Sequence, residues 1–323
     1  MTQMALAQVV LARPLIFGIR DGAAYGLVAV GLVLIYKSSR VFNFAAGEFA
    51  TVGAFATYLA WTGFHLNWLG FLGLHIHFPK LDFTWGPFPA GFALCAVIGI
   101  ASGVVFGLVT ERLVVRPLAD RPRVVILVAT AAVAITVIPL QLILGNGGKA
   151  YSFRPVVNGN AFHLFGVFVS WQQVFVLLAL FVVGTALAVF FRYTDLGLAT
   201  LASSQEPVAT RLMGIRLNRI AVLTWGLAGA LGGLAGVLLP PSAGQFFPAF
   251  GTTDVLIPAF TAAVLGGMTS VPGAFLGGIL VGVVADMAQT NVTSINGPNA
   301  VAVLILLVGV LLIRPTGLLG KEA

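Results

Sequence analysis

The sequence predicts an all-α integral membrane protein, a single polytopic bundle of about eight to ten transmembrane helices, with nine as the best estimate. Of its 323 residues, 59% are hydrophobic and 8% are charged, and the mean hydropathy is +1.03. A soluble domain carries about 25% charged residues and could not bury so much apolar surface. Hydrophobic runs recur from Ile16 to Ile313 without a polar block long enough to fold separately, so residues 1–323 are expected to form one permeation domain.

A membrane-spanning helix needs about 20 apolar residues. Six segments meet or approach that length: Ile16–Tyr36, Asn43–Trp61, Ala90–Val109, Val124–Leu144, Trp171–Phe191 and Ile220–Pro240. Three shorter runs follow: Val255–Met268, Gly273–Met287 and Ala300–Ile313. If each short run crosses the membrane, the count is nine, whereas a re-entrant piece between Val255 and Met287 would change it.

Glycine occurs 39 times, mostly within apolar runs and often at a spacing of four residues. Small residues at this spacing share a helix face and let membrane helices approach closely. We therefore expect tight helix packing at Gly99, Gly103 and Gly107, and at the pairs Gly229 with Gly233, Gly232 with Gly236, Gly273 with Gly277, and Gly278 with Gly282.

Lysine and arginine prefer cytoplasmic loops, which predicts the orientation. Twelve basic residues are assigned to the inside: Lys37, Arg40, Arg112, Arg116, Arg121, Arg123, Arg192, Arg211, Arg216, Arg219, Arg314 and Lys321. This choice leaves five outside: Arg13, Arg20, Lys80, Lys149 and Arg154. The N-terminus is then outside and the C-terminus is cytoplasmic.

Glu48 is the most conspicuous charge because it lies five residues into an apolar run, where a carboxylate is costly. Two interpretations remain open: a boundary charge paired with Lys37 or Arg40, or a group in the substrate path or gate. Asp286 raises the same question near the end of its own run.

Broken helices at membrane depth mark binding or gating sites in transporters. The breaks predicted at Asn43 to Gly53 and at Gly266 to Gly278 give these candidates for the substrate pathway or gate: Asn43, Gly47, Glu48, Gly267, Pro272 and Gly273.

The longest cytoplasmic segment, Arg192 to Arg219, is polar in a chain with few polar residues. Ser204 is expected to cap the N-terminus of a short helix of about nine residues, and Gly214 to end it. Such a helix suits docking of another protein through Glu206, Ala209, Arg211 and Gly214, and the alternative is an ordered loop with no partner.

No sequence motif indicates catalysis, so an enzyme is not expected. Gly145 to Lys149 lacks the spacing of a phosphate-binding loop, and a single cysteine, Cys95, excludes paired-cysteine metal or redox motifs. We expect no metal site and no cofactor. The basic residues lie in short loops rather than along one helix, which favours the lipid bilayer over nucleic acid as a partner.

Four stretches carry a family resemblance. Gly26 to Lys37 leads into Asn43-Phe-Ala-Ala-Gly-Glu48, and the cytoplasmic segment follows later. The other two are Ala228 to Leu238, and Leu265-Gly-Gly with Pro272 to Gly278. In this order they resemble the permease subunits of ABC importers for branched-chain amino acids, the LivH and LivM type. The likeness is closer to LivH because the Asn-Phe-Ala-x-Gly-Glu stretch is present and no ATPase domain is fused.

The resemblance implies a type II-importer-like fold in the bacterial cytoplasmic (inner) membrane. It also implies a second, homologous permease subunit, two cytoplasmic ATP-binding subunits and an extracytoplasmic substrate-binding protein. Branched-chain or hydrophobic amino acids are the implied cargo, with urea, short amides or aromatic acids as alternatives. The docking loop departs from the general importer pattern, because Pro207 follows Glu206 and Gly214 comes eight residues after Glu206 instead of six.

An ion-coupled secondary transporter is the alternative class. It would need acidic residues deep in several spans, and Glu48 and Asp286 are the only clear candidates in the sequence.

Overall fold

The computed structural model describes residues 2–66, 76–78, 81, 90–144, 150–153, 155–157, 159–164, 167–206, 210, 212–314 and 316–320. Within these ranges the α-helices are α1 (Thr2–Ser39), α2 (Ala46–Thr62), α3 (Ala90–Thr110), α4 (Arg123–Leu144), α5 (Trp171–Tyr193), α6 (Asp195–Gln205), α7 (Leu217–Ala243), α8 (Ile257–Gly266), α9 (Val271–Asn291) and α10 (Pro298–Ile313). A π-helical stretch, Glu111–Val115, and a 3₁₀ turn, Arg116–Leu118, extend α3, and a second π-helical stretch, Gly251–Leu256, precedes α8.

Short antiparallel strand pairs lie between the helices. Strands β1 (Phe64–Leu66) and β2 (Ile76–Phe78) form one pair, and β4 (Asn160–Leu164) and β5 (Val167–Ser170) form another. The third pair joins distant parts of the chain, β3 (Tyr151–Ser152) and β6 (Gln245–Phe246).

The polytopic helical membrane fold is confirmed. Among the described residues, six helices are long and apolar enough to cross a membrane: Ala12–Ser39, Gly91–Leu118, Arg123–Ile143, Trp171–Tyr193, Leu217–Ala243 and Val271–Asn291. The shorter apolar helices in the described ranges are the stretch Gly251–Gly266 and α10. Helix α2 has 17 residues. The number of crossings stays a prediction.

Several helices differ in length from the expected runs, α1 most of all, and for two of them the structure shows a local reason at the helix start. The run from Asn43 becomes helical only at Ala46, because the Asn43 side-chain oxygen accepts from the Ala45 N–H at 3.0 Å and holds the chain in a turn. The run from Gly273 is longer than its apolar residues suggest, since α9 continues to Asn291. Its start is fixed by Ser270, whose hydroxyl accepts from the Gly273 N–H at 3.1 Å.

The chain divides into two compact units. Unit 1 comprises Met1–Arg40, Asn158–Thr224 and Val255–Ala323, and unit 2 comprises Val41–Val157 and Trp225–Asp254.

In unit 1, α1 packs on α9 through glycines that face each other. A Cβ added at Gly22 would lie 2.6 Å from the Gly278 carbonyl oxygen, and one at Gly18 would lie 2.6 Å from the Val283 Cα. Residues later in α1 contact residues earlier in α9, so the two helices are antiparallel. The predicted packing role of Gly278 and Gly282 is confirmed, because an added Cβ at either position would overlap the α1 backbone.

In unit 2, α2, α3 and the unit 2 part of α7 pack in the same way. A Cβ at Gly53 would lie 2.6 Å from the Gly233 Cα, and one at Gly107 would lie 2.6 Å from the Trp225 carbonyl oxygen. An added Cβ at Gly103 would overlap the Gly229 carbonyl. The spacing of four therefore marks the helix contacts in this unit too.

Candidate functional site

Glu48 is completely buried in unit 2, on the first turn of α2. Its Oε2 accepts a hydrogen bond from the Gln141 Nε2 at 2.5 Å, and its Oε1 accepts one from the Thr252 hydroxyl at 2.6 Å. We call Glu48, Gln141 and Thr252 the polar clamp. Its three members come from α2, from α4 and from the π-helical stretch, so one buried carboxylate joins three separate parts of the chain.

Gln141 has a second role in the polar clamp. Its side-chain oxygen accepts from the Ala249 N–H at 2.9 Å, while its amide nitrogen binds Glu48. Gln141 is 5% exposed and lies 18 residues after the start of α4, about 27 Å along that helix. The clamp is therefore far from the end of α4 at which Arg123 lies.

The segment before Thr252 is held in an unusual conformation. Ala249 has a φ of 67°, in the left-handed region that residues with a side chain adopt only at an energetic cost. The Gly251 N–H donates to the Thr51 hydroxyl at 3.0 Å, and Gly47 lies so close to Gly251 that a Cβ on either would overlap the other's backbone. The π-helical stretch begins here, a geometry that often occurs at functional sites.

Asn43 lies three residues before the start of α2. It is 2% exposed, and within the described ranges no group accepts from its Nδ2. The neighbouring Phe44 N–H donates to the hydroxyl of buried Thr130 on α4 at 3.2 Å. An unpartnered buried donor is therefore present five residues before Glu48.

Three of the predicted pathway residues, Asn43, Gly47 and Glu48, thus lie together in unit 2. Gly267, Pro272 and Gly273 belong to unit 1. Gly267 is the C-cap of α8 and begins the α8–α9 turn, residues 267–270, whereas Pro272 and Gly273 lie in the first turn of α9.

The α8–α9 turn packs against the chain after α10. The Leu318 N–H donates to the Leu265 carbonyl at 2.7 Å, and the Leu319 N–H donates to the Gly266 carbonyl at 3.2 Å. These bonds satisfy carbonyls that the end of α8 leaves without helical partners. Gly267 has a φ of 98°, and a Cβ there would lie 2.5 Å from the Gly320 nitrogen.

Sequence reasoning missed Gln141, Thr252, Thr51 and Ala249. Gln141 and Thr252 lie 93 and 204 residues from Glu48. A glutamine inside the otherwise apolar run of α4 was a usable signal, because a buried amide needs partners. The conformation of Ala249 left no trace in the sequence, since alanine does not favour a positive φ.

The predicted cytoplasmic helix begins elsewhere. Ser204 does not cap a helix N-terminus, because it lies inside α6, which the Thr194 hydroxyl caps by accepting from the Gly197 N–H at 3.0 Å. The N-cap predicted at Ser204 is therefore wrong. α6 ends at Gln205 with Glu206 as its C-cap, and a second helical segment, of which Thr210 and Leu212 are described, follows it.

Gly214 has the predicted helix-ending role. Its φ is 80°, and the Ile215 N–H donates to the Thr210 carbonyl at 3.2 Å, the bond of a Schellman motif. Leu212 and Met213, just before it, are 84% and 81% exposed. Glu206 and Gly214 are exposed, and Ala209 and Arg211 lie outside the described residues.

A second charged group lies in unit 1. Arg20 of α1 donates to both carboxylate oxygens of Asp21, at 2.6 and 2.7 Å. Asp286 of α9 lies close enough to interact with both residues, and in the described part of the chain nothing donates to its buried Oδ2. The two acids that the sequence singled out, Glu48 and Asp286, thus have different surroundings. Both carboxylate oxygens of Glu48 accept hydrogen bonds, whereas Oδ2 of Asp286 has no donor among the described residues.

Comparison with known proteins gives a consistent result. The family described as "Branched-chain amino acid transport system / permease component" matches residues 15–313. The chain is 32% identical to the high-affinity branched-chain amino acid transport system permease protein BraD of Pseudomonas aeruginosa over 311 residues, 95% of each chain. No solved structure matches it significantly.

Two further relatives are also described as branched-chain amino acid transport permease proteins. The chain is 29% identical to LivH of Salmonella typhimurium, a high-affinity branched-chain amino acid transport system permease protein, over 94% of each chain. It is also 29% identical to a probable branched-chain amino acid transport permease protein, LivH, of Methanocaldococcus jannaschii, over 92% of this chain and 88% of the relative.

Proposed function

Because this chain belongs to the family of branched-chain amino acid permease components, we propose that it forms the translocation pathway of an ABC importer for branched-chain or other hydrophobic amino acids. The observation that supports this most directly is the polar clamp. Glu48 is a carboxylate buried among neutral hydrogen-bond donors, and a carboxylate held in this way is suited to receive the ammonium group of an amino acid. Few other charged side chains are buried in the described part of the chain, and such surroundings suit the apolar side chain of a hydrophobic amino acid.

The proposal takes Asn43, Gly47 and Glu48 as lining the pathway. The complete burial of Glu48 and its neutral partners support this role over that of a charge at the membrane boundary. Gly267, at the α8–α9 turn, and Pro272 and Gly273, in the first turn of α9, are proposed to act in gating.

The partners follow from the same proposal. The N-terminus lies outside and the C-terminus lies in the cytoplasm of a bacterium, as the lysine and arginine distribution indicates. Two ATP-binding subunits hydrolyse ATP and dock on the segment from Arg192 to Arg219. A homologous permease subunit completes the channel, and a substrate-binding protein delivers the cargo from outside.

Uptake into proteoliposomes tests the proposed function. The chain is reconstituted with the permease, ATPase and binding-protein genes that neighbour it, and uptake of radiolabelled leucine, isoleucine and valine is measured with and without ATP. We expect uptake that requires both ATP and the binding protein. Uptake that persists without them and collapses with an ion gradient would replace the importer with an ion-coupled transporter. ATP-dependent uptake of urea, short amides or aromatic acids, but not of leucine, would change the cargo alone.

The docking segment gives a separate prediction. Gly214→Pro is expected to lower co-purification of the ATP-binding subunit at least about tenfold, because proline fixes φ near −65° and cannot adopt the left-handed conformation that ends the helical segment containing Thr210 and Leu212. Glu206→Lys, which reverses an exposed charge, is expected to act in the same direction. Pull-down from solubilised membranes measures the effect.

The matched control is Gly297→Pro. Gly297 is also left-handed, with a φ of 68°, and precedes α10 at the opposite end from Arg314. It should weaken the fold without selective loss of the ATPase. Equal co-purification of the ATPase with wild type and with both docking variants, at normal membrane insertion, would remove the docking assignment.

A further inference from the structure

Helix α2 presents one continuous stripe of side chains. Glu48, Thr51, Phe55 and Tyr58 follow a spacing of three and four residues, which places them on the same helix face. The first two are polar and the last two are aromatic. Phe55 and Tyr58 lie about 10 and 15 Å further along the helix axis than Glu48.

The segment 245–252 runs along this stripe in the opposite direction. Thr252 donates to Glu48 and the Gly251 N–H donates to Thr51, at 2.6 and 3.0 Å. Further along, the Phe246 ring lies 5.6 Å from the Phe55 ring and 5.7 Å from the Tyr58 ring. One segment of chain therefore covers both the polar and the aromatic part of the stripe.

Phe55, Tyr58, Tyr151 and Phe246 form a closed aromatic group, which we call the aromatic plug. The Tyr151 ring centroid lies 5.0 Å from that of Phe55, 5.1 Å from that of Tyr58 and 5.2 Å from that of Phe246. Phe55 is 7% exposed and Phe246 is 2% exposed. Tyr151 and Phe246 are also register partners in the β3–β6 pair, so the backbone holds the plug together.

The covering segment has the features of a movable element. It follows Gly244, which has a φ of 79° and nothing within 4 Å of an added Cβ, and it contains the strained Ala249. Gln141 holds the Ala249 N–H with one end of its amide and Glu48 with the other. The segment that carries Phe246 of the aromatic plug is thus joined to the buried carboxylate through Gln141, in addition to the direct bond from Thr252.

We propose that the aromatic plug is the outer gate of the pathway and that Gln141 latches it to Glu48. Opening requires segment 244–250 to leave the α2 stripe. The same movement separates Thr252 from Glu48 and Gly251 from Thr51, so it uncovers the polar site as it opens the way to it. The gate rests on the proposed transport function and on the outward orientation of the end of α2.

Thiol labelling tests the gate without depending on the substrate. Thr51→Cys is introduced in a Cys95→Ser background, and intact cells are treated with a membrane-impermeant methanethiosulfonate reagent. Thr51 is completely buried behind the plug, so we expect slow labelling. Adding Phe246→Ala or Gln141→Ala is expected to raise the labelling rate at least about tenfold, whereas Phe162→Ala, which removes a half-exposed ring in unit 1, should leave it unchanged.

A reversible cross-link tests the movement. Ser152 and Gln245 are register partners beside the plug, and such neighbours are close enough for a disulfide between substituted cysteines. In the Cys95→Ser background, Ser152→Cys with Gln245→Cys is expected to lose uptake on oxidation and to regain it on reduction. The control pair, His163→Cys with Phe168→Cys, joins register partners in the β4–β5 hairpin and should keep its uptake.

Unchanged labelling in a stably folded Phe246→Ala variant would overturn the gate, as would an equal increase in Phe162→Ala. Labelling of Thr51→Cys only by reagent added from the cytoplasmic side would show that the aromatic plug does not close the outer end of the pathway. Full uptake by the oxidised Ser152 and Gln245 pair would show that the strands need not separate. An absence of all amino acid uptake in the wild type, with the labelling pattern as expected, would refute the proposed cargo and keep the gate.

Discussion

Glu48→Gln is expected to lower transport at least about tenfold while leaving the fold almost unchanged. Loss of one charge-assisted contact to an ammonium group, worth about 1.5–3 kcal/mol, corresponds to a tenfold change or more. The glutamine amide retains an oxygen for Gln141 to donate to. Its NH₂ group then meets Thr252, whose hydroxyl can rotate from donor to acceptor. The charge is removed and the hydrogen bonds are kept.

Glu48→Ala separates the structural contribution from the charge. It leaves the Gln141 amide without its acceptor in a buried site, which costs about 1–3 kcal/mol. We expect a lower thermal midpoint for Glu48→Ala and not for Glu48→Gln, measured on the purified protein, with uptake impaired in both. The control is Asp120→Asn, the same charge change at an exposed carboxylate. Wild-type uptake by Glu48→Gln would remove the charge from the mechanism.

Helix packing could be predicted from the sequence because it depends on local spacing. Glycines four residues apart share a helix face whatever lies opposite, and Gly103 and Gly278 both contact backbone there. The partners themselves could not be predicted. Nothing in the run around Gly22 specifies that α9, more than 250 residues later, packs against it.

The candidate site was predictable only in part, for a related reason. Glu48 was identified because a charge inside an apolar run is costly wherever it lies. Its partners Gln141 and Thr252 depend on the tertiary fold, and so does the hydrogen bond that the N–H of left-handed Ala249 donates to the Gln141 side-chain oxygen. The helix cap predicted at Ser204 was wrong because that residue lies inside α6, which begins after Thr194 and continues to Gln205.

Gly267→Ala is expected to destabilise unit 1 much more than a glycine substitution at an ordinary left-handed position. The φ of Gly267 is 98°, outside the range that alanine adopts readily, and the new Cβ would lie 2.5 Å from the Gly320 nitrogen and 2.7 Å from the Gly320 Cα. These atoms belong to the chain that donates to the end of α8 through Leu318. The substitution therefore strains the turn and displaces the segment that caps it.

Gly297→Ala is the matched control for Gly267→Ala. Gly297 is left-handed, with a φ of 68°, and an added Cβ meets only the Asn299 side chain, at 4.0 Å. Gly297→Ala therefore carries only the cost of placing alanine in a left-handed conformation, about 1–2 kcal/mol. Because 1 kcal/mol shifts the midpoint of a large domain by about 2–4 °C, we expect Gly267→Ala to melt at least about 5 °C below Gly297→Ala. Equal thermal midpoints for the two variants would mean that segment 316–320 moves away from the new Cβ without an energetic cost. A loss of uptake in Gly267→Ala at a normal midpoint would contradict the expected loss of stability and would support the proposed gating role, because transport would then depend on movement of the turn and not on its stability.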